Sequence, residues 1–421
     1  MIKFMKRLWK DRRGNAILIA GAAMPLVVGA AGLATDTIQW TLWKRELQRA
    51  ADSAAFAGVY ALAQNASASS AVAADLGKNN KTGIALKTGY SSCGGTCQIA
   101  FPTSANWTNG VQVTIAIQKT LGFSSLFIST APTIVASGTA AMVDDGTYCL
   151  VALKKSGGAG ITLGGSALAN MGCGGISNSN ANPAVSTNGG SYTFTAPVLA
   201  GVGTLPTSVN GVSELQPHHM ALPDPFANKY PTTVPSGTNC TNFQQKLTNL
   251  GTGNNKDYHL APGCYNSFQI TGNETYTMDP GVYYLNSTDF DLGGTATIKG
   301  TGVTIILTGT TPGSIKTNGN AGIQLTAPTT GTYSKMLFIQ SGSATTDNVN
   351  EINGNSASFY DGAIYTPKGN ITFTGSSGAM TKCAMVVGYT VAFSGNTNLQ
   401  NNTIGCSANQ TVTAKQVRLV A

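Results

Sequence analysis

The chain has 421 residues, 42% of them hydrophobic and only 10% charged, with 51 glycines. An average soluble protein carries roughly 25% charged residues, so low charge with abundant Gly, Ser, Thr and Asn argues for an extracellular β-rich protein and against a cytoplasmic enzyme. The net charge of +8 sits mostly in Lys3, Lys6, Arg7, Lys10, Arg12 and Arg13, and past Arg49 the next arginine is Arg418. With no basic face or stripe downstream, no nucleic-acid partner is expected. The lack of a Gly-X-Y period excludes collagen.

Residues 16–34, AILIAGAAMPLVVGAAGLA, form an uncharged apolar run. At 1.5 Å per residue a helix of this run covers about 28 Å, close to the hydrocarbon thickness of a bilayer. Arg12 and Arg13 precede it and Asp36 follows, which by the positive-inside rule places the N-terminus in the cytoplasm. Pro25 is tolerated in a membrane helix. A cleaved signal sequence has a shorter apolar region ending at an Ala-x-Ala-like site. A retained single-pass anchor is therefore expected. The helix continues to about residue 64, because Leu47, Ala50, Ala51, Ala54, Gly58, Ala61 and Leu62 recur at three- and four-residue steps. This mostly alanine stripe suits close packing, either on a partner helix or on the chain's own downstream strands.

The stretch DRRGNAILIAGAAMPLVVGAAGLATDTIQWTLWKRELQRAADSAAFAGVYAL resembles the N-terminal module of the TadE/TadG-like (tight adherence) pilus-assembly proteins. The resemblance is carried by Arg12, Arg13 and Gly14, by Pro25, by Gly32, Leu33, Ala34 and Asp36, and by Ala50, Ala51, Asp52, Ala54 and Ala55. It implies a membrane-anchored assembly or minor pilin-like component, with the inner membrane and other pilin-like subunits as partners. Ile19 stands where pilin-type precursors carry a Glu, a departure from the pilin cleavage pattern. The Asp-x-Ser-x-Ser motif of some TadG-like chains does not occur, so metal-dependent adhesion of that type is not predicted.

Residues 65–90 read as polar and irregular. Cys93 and Cys97 are better placed for a local disulfide than for half a zinc site, since no second short Cys pair exists. Val111–Ile117 alternates as a strand, residues 133–143 read as another, and Leu121–Ile128 is compact and apolar between them. Residues 91–143 thus predict a small sheet against the long helix.

From about residue 144 short strand-like runs recur between Gly, Asn, Thr and Ser clusters, among them VTIILT, MLFIQ, GAIYT and AMVVGY. ITFTG and VAFSG place Phe373 and Phe393 twenty residues apart, and YTFTA (192–196) and ITLGG (161–165) are weaker echoes. A period near twenty predicts a parallel β-solenoid, right-handed β-helix-like, with a pair of β-sandwiches as the alternative. Residues one coil apart stack at about 4.8 Å, within the Cα range a disulfide needs. The spacings of Cys149 and Cys173, of Cys240 and Cys264, and of Cys383 and Cys406 all suit one coil. Connectivity among the eight cysteines stays open, but disulfides place this region in an oxidising compartment, periplasmic or at the cell surface. Residues 278–309 also resemble, more weakly, coils in the outer domains of TadG-like chains.

The expected architecture is mainly β with a long N-terminal α-helix. Its segments are a basic cytoplasmic tail (1–14), a transmembrane and stalk helix (15–64), a small α+β module (65–143) and an extracytoplasmic β-solenoid (144–421). No HExxH, GxSxG, GxxxxGK[ST] or EF-hand pattern occurs, and neither cofactor nor enzymatic activity is expected. His218 and His219, with Asp224 nearby, read as a solvated Pro-rich connection. Asp279, Asp289 and Asp291 are the nearest approach to the paired carboxylates of a carbohydrate-active enzyme. A surface adhesin binding carbohydrate is the other open reading.

Overall fold

The computed structural model describes residues 12–79, 85–252, 256–375, 378–402 and 411–420. The chain divides into two compact units, one of residues 1–144 with 415–421, the other of residues 145–414. The expected solenoid limits of 144–421 thus differ at the C-terminus. The last strand, Val412–Leu419, runs beside the strand Thr133–Ala152, and the Val420 N–H donates to the Thr139 carbonyl.

In the first unit helix α1 spans Arg12–Ala63 without a break at Pro25. Its two halves differ. Ile19, Met24, Leu26, Val27, Val28, Leu33, Ile38, Trp40 and Leu42 are exposed, whereas Leu47, Ala51, Ala54, Ala55 and Val59 are buried. Thr35, Thr37 and Thr41 donate to the carbonyls four residues back, hiding their hydroxyls along the apolar half. The buried half packs on strands β2 (Trp107–Gln118) and β3 (Thr133–Ala152), and β1 (Cys97–Ala100), β2 and β3 pair antiparallel in that order. Along β2 and β3 the pairs Val111–Ala140, Val113–Gly138, Ile115–Ala136 and Ile117–Ile134 turn their buried side inward. A Cβ on Gly138 would lie 2.7 Å from the Asp52 nitrogen, and one on Gly58 would lie 2.8 Å from Val111 Cγ1. The alanine stripe therefore serves close approach to the chain's own sheet.

Residues 68–79, expected to be irregular, form helix α2, Ala68–Asn79. Ser67 Oγ accepts from the Ser70 N–H as a cap, and Ala68, Val72 and Leu76 bury one face at four-residue steps. Because Ala and Ser dominate it, composition alone hid the period.

The second unit is a parallel β-solenoid of three faces, which sets aside the β-sandwich alternative. On one face the inward column runs Tyr283, Ile305, Phe338, Ile364, Val386, Leu150, Gly175, Leu199, Leu215. The coils therefore do not stack in chain order. The chain enters in mid-stack at Leu150, builds coils to Val212–Pro217, and crosses back through residues 218–240. It then restarts at Thr241 and builds coils until Val386–Gly388 pairs with Leu150–Ala152. The restarting end is closed by the turn Phe243–Lys246, held by a reciprocal Asn242–Gln245 capping box, and by the antiparallel pair Leu247–Asn249 with Tyr258–Leu260. Phe243 sets its ring against Phe268 and Tyr276 there.

The return segment explains why the runs VTIILT, MLFIQ and AMVVGY are apolar at successive positions. Ile305, Phe338 and Val386 face the central core, while Ile306, Ile339, Tyr365 and Val387 belong to a second cluster with Leu222 and Phe226 of the return segment. A parallel sheet covered on both faces reads as a continuous apolar run. Asn178 donates to the Leu222 carbonyl (2.7 Å) and accepts from its N–H (2.8 Å), and Tyr365 donates to Asp224 (2.8 Å). Farther along, Tyr333 donates to the Pro231 carbonyl (2.8 Å) and stacks on Tyr230. Phe373 and Phe393 are register partners with rings 5.2 Å apart, and Leu163 of ITLGG follows them in the same column. YTFTA does not share that position, since its Phe194 pairs with Ala169 on another face.

Candidate functional site

Two regions carry the features that sequence reading singled out. The first is the apolar half of α1 and the turn that grips it. Arg12, Arg13 and Gly14 lie in the first turn of α1, and Pro25 lies within the exposed apolar stretch. Asp36 does not mark an aqueous boundary. It is 3% exposed, accepting from the Phe123 N–H (3.0 Å) and from the Ser124 N–H and hydroxyl (2.5 Å each). One turn earlier, Gly32 leaves room for the Phe123 ring. The family-motif residues Gly32 and Asp36 thus hold the short 3-10 turn Ser124–Leu126 against α1. Leu33, Thr37, Trp40, Leu121 and Ile128 line an apolar pocket of about 400 Å³ there. Within the apolar segment Leu121–Ile128, Leu121 is buried and Leu126, Phe127 and Ile128 are exposed. Asp52 accepts from Gln48 Nε2 (2.8 Å) over the bare Cα of Gly138, which gives this motif residue a packing role.

The second region is a polar groove on the solenoid. An outward column runs Gln269, Asp291, Lys316, Glu351, Thr372. Lys316 Nζ lies 2.6 Å from Asp289, whose other oxygen accepts from the Ser314 N–H (2.7 Å). The hydrogen bond that Lys316 donates to Asp289 raises the lysine pKa above its ordinary value, so the lysine stays cationic. Asp289, Lys316, Asp347, Asn348 and Glu351 line a groove of about 710 Å³. Sequence reading found no lysine for this region because the partner, Lys316, lies one coil away from Asp289. The three aspartates do not act as one cluster. Asp291 accepts from Gln269 (2.8 Å), and Asp279 from His259 (2.9 Å), a bond that raises the His259 pKa.

The solvated-loop expectation holds for His218 and fails for His219. His219 is buried, with Nδ1 2.7 Å from the Met220 carbonyl and Nε2 3.5 Å from Asp145. Among the described residues, no group of three or more His, Cys, Asp or Glu side chains is placed to hold a metal ion. Disulfides join Cys93 to Cys97, Cys149 to Cys173 and Cys240 to Cys264, with Cα separations of 5.3, 5.8 and 4.4 Å. The Cys383–Cys406 pairing involves Cys406, which lies outside the described residues.

Neither the curated proteins nor the solved structures yield a match to this chain. The family model described as putative Flp pilus-assembly TadE/G-like matches residues 14–75, which take in α1 from its first turn, the Gly32–Asp36 grip and most of α2. Residues 14–75, the N-terminal module of this chain, are thus similar to a TadE/G-like Flp pilus-assembly domain.

Proposed function

We propose that this chain is a membrane-anchored structural or assembly component of a Tad-type pilus, minor pilin-like, and that its solenoid projects outside the cell. The observation that carries the reading is the division of α1. Its N-terminal half exposes apolar side chains that water does not favour, while its C-terminal half is packed on its own sheet. Residues Ile19–Ala63 contain a stretch long and apolar enough to cross a membrane. The inner membrane and pilin-like subunits are the proposed partners.

The role is structural rather than catalytic. Asp289, the best-placed carboxylate of the groove, is neutralised by Lys316 and occupied by a backbone N–H, which suits binding better than general acid or base work. The groove favours a second role, adhesion to carbohydrate, because Lys316, Asn348 and Glu351 in its lining offer both donors and acceptors to hydroxyls. Deleting residues 145–414 separates the roles. Loss of pili assigns the solenoid to assembly, and pili retained with adherence lost assigns it to surface contact. Pili and adherence both unchanged contradict a role for the solenoid in either.

A further inference from the structure

We infer that the turn Leu126–Ile128 is a second membrane contact, dipping into the same leaflet from which α1 emerges. This rests on the membrane-spanning reading of α1 and adds a separate element to it. Leu126, Phe127 and Ile128 are 75%, 76% and 57% exposed, three consecutive large apolar side chains with no covering element among the described residues. Residues 120–143 contain no charged residue. Runs of this kind on a water-facing loop are costly unless a partner covers them.

The position of the turn selects the bilayer as that partner. The Phe123 ring sits on Gly32, and Asp36 binds the Phe123 and Ser124 amides, so the turn is fixed to α1 at the level of residues 32–36. Ile128 shares a pocket with Leu33 and Trp40. On the free face of α1 exposed apolar residues run from Ile19 to Leu42, and the Asp36 carboxylate does not interrupt them because the turn buries it. That stretch covers about 36 Å at 1.5 Å per residue, more than the ~30 Å of hydrocarbon. Its last part, with Trp40, therefore reaches headgroup level, where Trp is favoured. The turn is held against that part, so Leu126, Phe127 and Ile128 meet acyl chains and headgroups at the rim of the same apolar zone. Two contacts from one unit would restrain tilt and rotation of the anchor, which a lone helix does not.

The test uses the full-length chain in phosphatidylcholine–phosphatidylglycerol proteoliposomes. The described residues contain no free cysteine, so a single introduced cysteine takes an environment-sensitive dye. The labelled positions are Phe127→Cys, Leu126→Cys as a second reporter of the turn, Val27→Cys in α1 and Ser104→Cys on an exposed loop. Quenchers are nitroxides at shallow and deep acyl positions and aqueous iodide. The inference predicts deep quenching at position 27, blue-shifted emission with shallow quenching at 126 and 127, and iodide quenching at 104. Deep quenching at 27 with iodide quenching at 126 and 127 overturns the inference and leaves the anchor standing. Iodide quenching at 27 as well overturns both. Protection of 126 and 127 from iodide without quenching by lipid nitroxides also overturns it, and points instead to a protein partner such as a second copy.

Discussion

The ring of Phe123 occupies the space a side chain at Gly32 would need: a Cβ there would lie 2.2 Å from two ring carbons. One helical turn on, Asp36 binds the Phe123 and Ser124 amides. Glycine at 32 and aspartate at 36 thus have a local mechanical reason, the docking of one turn on the anchor helix. Gly32→Val is expected to displace Phe123 and destabilise the first unit by about 1–3 kcal/mol, the usual range for overpacking. The double variant Gly32→Val with Phe123→Ala should recover part of that loss. Urea unfolding in detergent, followed by circular dichroism, reads both.

Asp36→Ala leaves the Phe123 and Ser124 amides without their acceptor. A buried unpaired donor costs about 1–3 kcal/mol, so the turn should loosen. Limited proteolysis is expected to cut within residues 120–132 faster in Asp36→Ala than in the parent chain, with Asp36→Asn intermediate because it keeps one carbonyl oxygen.

The anchor and the coil repeat could be read from the sequence because each is a local signal. The run from Ala16 to Ala34 lacks charge, and Phe373 and Phe393 recur at one coil length. The stacking order could not be read that way. A parallel coil pairs with any coil of similar length, so nothing in the spacing says that Val386 lies beside Leu150. The apolar runs held a hint, since Ile305 and Ile306 are both buried, but the cover over Ile306 is a Pro-rich segment that looks like a loop. The apolar run Leu126–Ile128 was visible, but composition records that water is avoided and is silent on whether protein or lipid does the covering. His219 was misjudged because its partner Asp145 lies far away in sequence. The Lys316 contact with Asp289 was missed because a coil separates them.

Residues 218–240 should hold the two halves of the stack together. Asn178 makes two hydrogen bonds to Leu222, one as donor and one as acceptor. Asn178→Ala is expected to cost about 1–3 kcal/mol by leaving a buried amide and carbonyl unpaired. It should also open the segment 218–240 to protease under conditions where the parent resists.

Cys149–Cys173 and Cys240–Cys264 each close a loop with a sequence separation of 24. Removing either pair as a double alanine variant is expected to lower stability by about 3 kcal/mol, the scale of loop-closure entropy at this length. Guanidinium midpoints measured without reductant check this, and parent and variant should converge once reductant is added.

His259 hydrogen-bonds Asp279, with Asp257 close by, and its pKa is raised above 6.5 in the folded chain. A folded-state value above the unfolded one means protonation favours folding. The contribution is fully present below about pH 6.5 and is lost as pH rises through the folded value. Melting temperatures of the parent should fall across that window more than those of His259→Gln. Equal slopes for the two would contradict the assignment.

The measurement that bears most directly on the account is surface adherence of a strain lacking only this chain. The account predicts that adherence falls and is restored by the full-length chain, but not by one lacking residues 16–42, whether the role is assembly or surface contact. Undiminished adherence in the deletion strain, or full restoration by the chain without its apolar half, would contradict an anchored component of a Tad-type pilus.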